Sequence, residues 1–151
     1  MQKINNDSIS ILLADDDPED RMLLIDGFRE ARLMNPIYEV EDGEELLDFL
    51  YNRNKYADKS EFPKPKLILL DLNMPKKDGR EALKEIKLDD NLKSIPVVAL
   101  TTSKAEEDIL KTYNLGVSGY ITKPGSFQDL LSIINGISKY WCQIVSLPNE
   151  E

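Results

Sequence analysis

The chain has 151 residues, enough to bury a sizeable apolar fraction in one domain without covalent staples, and no second module is expected. Its 28 acidic residues against 19 basic ones give a net charge of -9, which weighs against nucleic acid as a partner because a phosphate backbone would be repelled. Histidine is absent, which excludes Ser-His-Asp and Cys-His catalysis, the common zinc sites and a phosphohistidine donor on this chain.

In chain order, the first apolar run, Ile9 to Ala14, reads as a strand and ends in Asp15, Asp16 and Asp17. Asp17 followed by Pro18 reads as an N-cap with proline at the first helical position, opening a helix to Arg32 with Met22, Ile25, Phe28 and Arg29 on its apolar side. A second run, Ile37 to Val40, precedes a helix from Glu44 to Tyr51 built on Leu46, Leu47 and Leu50. The polar segment 52–66, twice interrupted by proline, is long for a helix-to-strand connection and hides a short helix or forms a partner-facing loop.

The third run, Leu67 to Leu70, ends in Asp71 and turns through Asp78 and Gly79 into a helix carrying Ala82, Leu83 and Ile86. The fourth, Val97 to Leu100, ends in Thr101 and Thr102; the helix after Ser103 carries Ile109, Leu110 and Tyr113, and Gly116 suits its C-terminus. The fifth, Gly119 to Ile121, ends in Thr122, Lys123 and Pro124. The last helix has its stripe at Phe127, Leu130, Leu131, Ile134 and Ile137, and the pattern continues through Tyr140, Trp141, Ile144 and Val145. A lone cysteine, Cys142, the absence of an opening apolar signal segment, and apolar runs no longer than strands lead us to expect a cytoplasmic protein without a membrane span.

Strict alternation of strand and helix argues for an α/β fold, a parallel sheet covered on both faces. In such a sheet the ligand crevice lies outside the carboxyl ends of the strands, so Asp15, Asp16, Asp71, Thr101 and Lys123 should converge. Singly, each has a plain structural reading: Asp71 as a solvated strand-end carboxylate, Thr101 as a cap, Lys123 as an ion-pair partner. Together, three acids and a lysine at one edge suit a hard cation such as Mg2+ and a phosphoryl group.

The stretches "LLADDDPEDR", "LILLDLNMPKKDG", "PVVALTT" and "SGYITKP", in this order, resemble the CheY-like receiver domain of two-component response regulators over nearly the whole chain. The length, the 52–66 loop, "TTSKAEEDI", "LGVSGYITKP" and "YWCQIVSLP" are most similar to the stand-alone regulators that partner bacterial phytochrome kinases. The resemblance implies a flavodoxin-like (βα)5 doubly wound sandwich with strand order 2-1-3-4-5, a receiver domain over 1–138 and a C-terminal extension over 139–151 that makes a homodimer contact.

The same resemblance implies that Asp71 is the phosphoacceptor and that Asp15, Asp16, Asp71 and the Asn73 main-chain carbonyl hold Mg2+. Thr101 and Lys123 would bind phosphoryl oxygens, Tyr120 would be the aromatic switch coupled to Thr101, and the Lys123–Pro124 bond would be cis. A sensor histidine kinase of phytochrome type is the implied donor, and a phosphotransfer or target protein the implied recipient. The chain would catalyse its own phosphorylation and dephosphorylation without being a turnover enzyme. Gly125 and Thr102 depart from the commonest family pattern. Among alternatives, a haloacid-dehalogenase phosphatase needs an acid where Asn73 stands, and a flavodoxin needs a Ser, Thr and Gly-rich first loop. A pseudo-receiver that binds partners without phosphorylation is opposed by the intact acid, threonine and lysine positions.

Overall fold

A computed structural model of the chain describes residues 9–102 and 106–140. Among these, five strands alternate with five α-helices and one 3-10 helix: β1 Ile11–Ala14, α1 Pro18–Glu30, β2 Ile37–Val40, α2 Gly43–Leu50, the 3-10 helix Asn54–Tyr56, β3 Leu67–Leu70, α3 Gly79–Leu88, β4 Val97–Thr101, α4 Glu106–Asn114, β5 Gly119–Thr122 and α5 Phe127–Ile137. The strands pair in parallel in the order β2-β1-β3-β4-β5, so the expected flavodoxin-like topology is the one observed. No helix of the described residues is long and apolar enough to cross a membrane. Ser103, Trp141, Ile144 and Val145, used in the sequence reading, lie outside the described residues.

The inner strands β1 and β3 are apolar throughout, and β4 up to its closing Thr101, because both faces of each are covered, and alternate residues divide between two cores. Leu12, Ala14, Ile68, Leu70, Val97 and Ala99 pack with Leu46, Phe49, Leu83 and Ile86 of α2 and α3. Ile11, Leu13, Leu67, Leu69, Val98 and Leu100 pack with Leu24 and Phe28 of α1 and Leu130, Ile134 and Ile137 of α5. The edge strands β2 and β5 are less covered.

The helix ends follow local chemistry. Asp17, Asp42, Asp78 and Ser126 cap α1, α2, α3 and α5 by accepting backbone N–H groups of the first turn. After α4, Gly116 has φ of 101°, a left-handed conformation that glycine reaches without a Cβ penalty. On α1, Phe28 and Ile25 face the core as expected, but Leu24 is buried in place of Met22, which is 56% exposed, because the helix presents that side to α5. At the start of α5, Phe127 is likewise 41% exposed.

The 52–66 segment folds onto the domain. Tyr56 and Phe62 join Phe49 and Tyr38 in a ring cluster with centroids 5.0 to 6.4 Å apart. The Asn52 side-chain amide donates to the Tyr56 and Phe62 carbonyls at 2.9 and 3.0 Å, which clamps both arms of the loop. The Tyr56 hydroxyl donates to Glu45 of α2. We expect Phe49→Ala to lower the unfolding free energy by about 3–5 kcal/mol in urea denaturation, since the cavity would undermine this cluster. Leu88→Ala, at an exposed position, should stay within about 0.5 kcal/mol of wild type.

Candidate phosphoryl-acceptor site

All strands run parallel, so the residues following them emerge at one edge of the sheet, and β1 and β3 are neighbours there. Asp15 and Asp16 follow β1, Asp71 follows β3, Thr101 closes β4 and Lys123 follows β5. One oxygen from each of Asp15, Asp16 and Asp71 lies within 4.8 Å of the others; Asp15 and Asp71 are buried and Asp16 is exposed. Asp17, as expected from its neighbour Pro18, serves the helix instead, accepting from the Glu19 N–H at 2.9 Å.

Lys123 ties the edge together. Its ammonium donates to Asp15 Oδ2 at 2.8 Å, Asp20 Oδ2 at 2.9 Å and Asp71 Oδ2 at 3.1 Å. Its backbone N–H donates to the Thr101 carbonyl at 2.7 Å, which fixes the chain where it leaves β5. Burial works against the Lys123 charge, but hydrogen bonds to Asp15 and Asp20 and the charges of Asp15 and Asp71 outweigh it and hold the ammonium above its ordinary pKa. For Asp15, burial is the largest influence and pushes the carboxyl up. The Lys123 contact and the Asp17 N–H oppose the rise without cancelling it, and the nearby Asp71 charge adds to it.

The other oxygens are also placed. Asp15 Oδ1 accepts from the Asp17 N–H at 2.9 Å, and Asp71 Oδ1 accepts from the Asn73 N–H at 3.1 Å. The Asn73 amide reaches across to Thr101 Oγ1 at 3.2 Å, joining the ends of β3 and β4. Gly79 explains why this turn closes so tightly beneath Asp71: a Cβ there would lie 2.5 Å from the Asp71 carbonyl oxygen and 2.8 Å from Leu72 Cα. Tyr120 is opposite Ala99 in the β4 and β5 register, on the sheet face that Thr101 shares, and packs half-buried against the α2 and α3 core.

The structure brings Asp15, Asp16, Asp71, Asn73, Thr101 and Lys123 together at this edge, while Tyr120 shares a sheet face with Thr101. One expectation is corrected: no peptide bond among the described residues is cis, and Lys123–Pro124 is trans. The trans form is the lower-energy isomer even before proline, and Lys123 reaches all three carboxylates from it. Two participants were missed. Asp20, in the first turn of α1, is a third acceptor for Lys123. Arg21 donates to the Asp15 carbonyl at 2.6 Å and to Glu39 at 3.1 Å, bracing the β1 end against β2. The available signal for Asp20 was an acid in the first turn of the helix that opens directly after the acidic strand end.

Comparison with known proteins identifies the family. The response regulator receiver domain family matches residues 11–135. The response regulator Rcp1 of Synechocystis is 41% identical over 138 residues, covering 91% of this chain and 92% of that protein. The crystal structure of the phosphorylated cyanobacterial phytochrome response regulator RcpA superposes with a TM-score of 0.87 at 41% identity, over 94% of this chain and 99% of that one. The Mn(2+)-bound form of Rcp1 superposes with a TM-score of 0.84 at 41% identity, over 93% and 99% of the two chains. The family match spans β1 to α5, and the edge carries a lysine, a threonine and the acidic cluster at the strand ends, so this chain belongs to the response regulator receiver domain family.

Proposed function

We propose that this response regulator accepts a phosphoryl group on Asp71 from the phosphohistidine of a sensor histidine kinase, of phytochrome type, and signals by the change of shape that follows. The observation that carries the reading is the Lys123 ammonium held against Asp71 and Asp15 at one buried edge. An Asp71 carboxylate oxygen attacks phosphorus in line, the histidine nitrogen departs with the electron pair of the old bond, and Lys123 offsets charge on the phosphoryl oxygens. Thr101 hydrogen-bonds a phosphoryl oxygen, leaving its contact with Asn73, and Tyr120 turns into the space vacated. Water later removes the phosphate, so the output is a shifted population and the chain is its own slow phosphatase, not a turnover enzyme.

The donor set suits a divalent cation, because three carboxylate oxygens within 4.8 Å repel one another and all are hard ligands. Mg2+ is our assignment, held by Asp15, Asp16, Asp71 and the Asn73 carbonyl; when bound it offsets carboxylate and phosphoryl charge during transfer. The Mn(2+)-bound Rcp1 and the phosphorylated RcpA support both halves of this reading. The phosphorylation-independent alternative is not favoured, since it leaves three convergent carboxylates and their shared ammonium without use. We further assign 1–138 to the receiver and 139–151 to a homodimer contact in the cytoplasm, with a downstream target or phosphotransfer protein reached by contact. The exposure of Tyr140, within that extension, supports the dimer.

With acetyl phosphate and Mg2+, mass spectrometry should find one phosphoryl group on wild type and none on Asp71→Asn; equal labelling of the mutant would exclude Asp71. In calorimetric titrations, Asp16→Ala should weaken Mg2+ binding by about tenfold or more, whereas an unchanged affinity would place the metal elsewhere. Sedimentation should find wild type dimeric at micromolar concentration and a chain truncated after Ser138 monomeric. A truncated dimer would remove the extension from the interface.

A further inference from the structure

An ammonium has three N–H donors, and in Lys123 all three are taken: Asp15 at 2.8 Å, Asp20 at 2.9 Å and Asp71 at 3.1 Å. Asp15 and Asp71 are buried strand-end residues, but Asp20 comes from α1 and its side chain is 37% exposed, which makes it the partner of Lys123 most open to solvent. The helix dipole accounts for an acid in the first turn. It does not account for that acid reaching a lysine already paired twice. With Asp20 the edge holds four carboxylates, those of Asp15, Asp16, Asp20 and Asp71, against one ammonium.

We propose that Asp20 is a charge gate on Lys123: it occupies the third donor of the ammonium and adds solvent-exposed negative charge beside the acceptor edge, so that small anionic acyl phosphates are disfavoured as phosphoryl donors. The proposal rests on the reading of Asp71 as the acceptor. In the reaction concerned, an Asp71 carboxylate oxygen forms a bond to phosphorus, the bond from phosphorus to the acyl oxygen breaks, and the carboxylate product leaves with the electron pair. Asp20 touches neither reacting atom. It acts through Lys123, whose charge the incoming dianion must share with it, and through its own repulsion of that dianion. Among the partners of Lys123, Asp15 and Asp71 are buried, whereas Asp20 is exposed enough to meet an incoming anion before it reaches the ammonium.

The substitution Asp20→Asn keeps an oxygen for Lys123 and removes only the charge. In the full chain with saturating Mg2+, the acetyl phosphate concentration giving half-maximal phosphorylation should fall about three- to tenfold at low ionic strength, with the maximal rate changed by less than about twofold. The difference should shrink at about 0.5 M salt, where exposed charges are screened. Beryllofluoride, a non-reacting stand-in for the phosphoryl group, should bind Asp20→Asn more tightly by a similar factor. An unchanged or raised half-saturating concentration, or a difference indifferent to salt, would overturn the gate while leaving Asp71 as acceptor. Peptide mapping that puts the wild-type label on any residue other than Asp71 would overturn the acceptor reading and the gate with it.

Discussion

The ion-pair cluster of Lys123 with Asp15, Asp20 and Asp71 joins elements that are far apart in the sheet. β5 is an edge strand and β1 lies three places away in the order, at a spacing of about 4.8 Å per strand, so the lysine must arch over the end of β4 to reach its partners. It does so from a backbone anchored by its own N–H on the Thr101 carbonyl. Two of its partners are buried, and a buried carboxylate without a counter-charge is costly enough that deleting the lysine alone would leave a penalty of about 3–5 kcal/mol. The strand ends are thus tied together by electrostatics that the rest of the fold is arranged to permit.

That arrangement is the division of the strands between two cores. Alternate residues of β1, β3 and β4 face α2 and α3 on one side and α1 and α5 on the other, so no strand can slip by one residue without exchanging its two faces. Register in turn fixes where each strand stops, and therefore how the acids of β1 and β3 stand beside one another. The caps at Asp17 and Asp78 start α1 and α3 immediately after the site loops, so the helices bear on the pocket from both faces. Gly79 lets α3 begin directly beneath Asp71.

The edge carries more carboxylates than ammonium groups, which is the charge imbalance behind the proposed gate. A hard dication relieves it, and an anionic group is resisted until charge is compensated. The local excess matches the acidity of the whole chain, whose net charge of -9 adds a weak repulsion for anions at long range. The 52–66 segment, by contrast, contributes packing: its rings close the outer side of α2 and β2, and the Tyr56 link to Glu45 holds the start of α2 in place.

The sequence alone determined the strand and helix order, the doubly covered sheet and the convergence of Asp15, Asp16, Asp71, Thr101 and Lys123. These depend on short-range rules, since apolar runs mark buried strands and parallel strands deliver their final residues to one edge. It also carried the Asp17 cap and the Gly116 turn, whose chemistry is confined to a few neighbouring residues. Only the tertiary structure decided that Leu24 and not Met22 faces the core, that Asp20 and Arg21 enter the site, and that the 52–66 loop folds into an aromatic cluster. The trans Lys123–Pro124 bond belongs with them. The reason is common to the first three: helix rotation and loop docking are set by contacts between segments far apart in sequence, such as α1 against α5, and no local pattern within α1 records which of its sides α5 will cover.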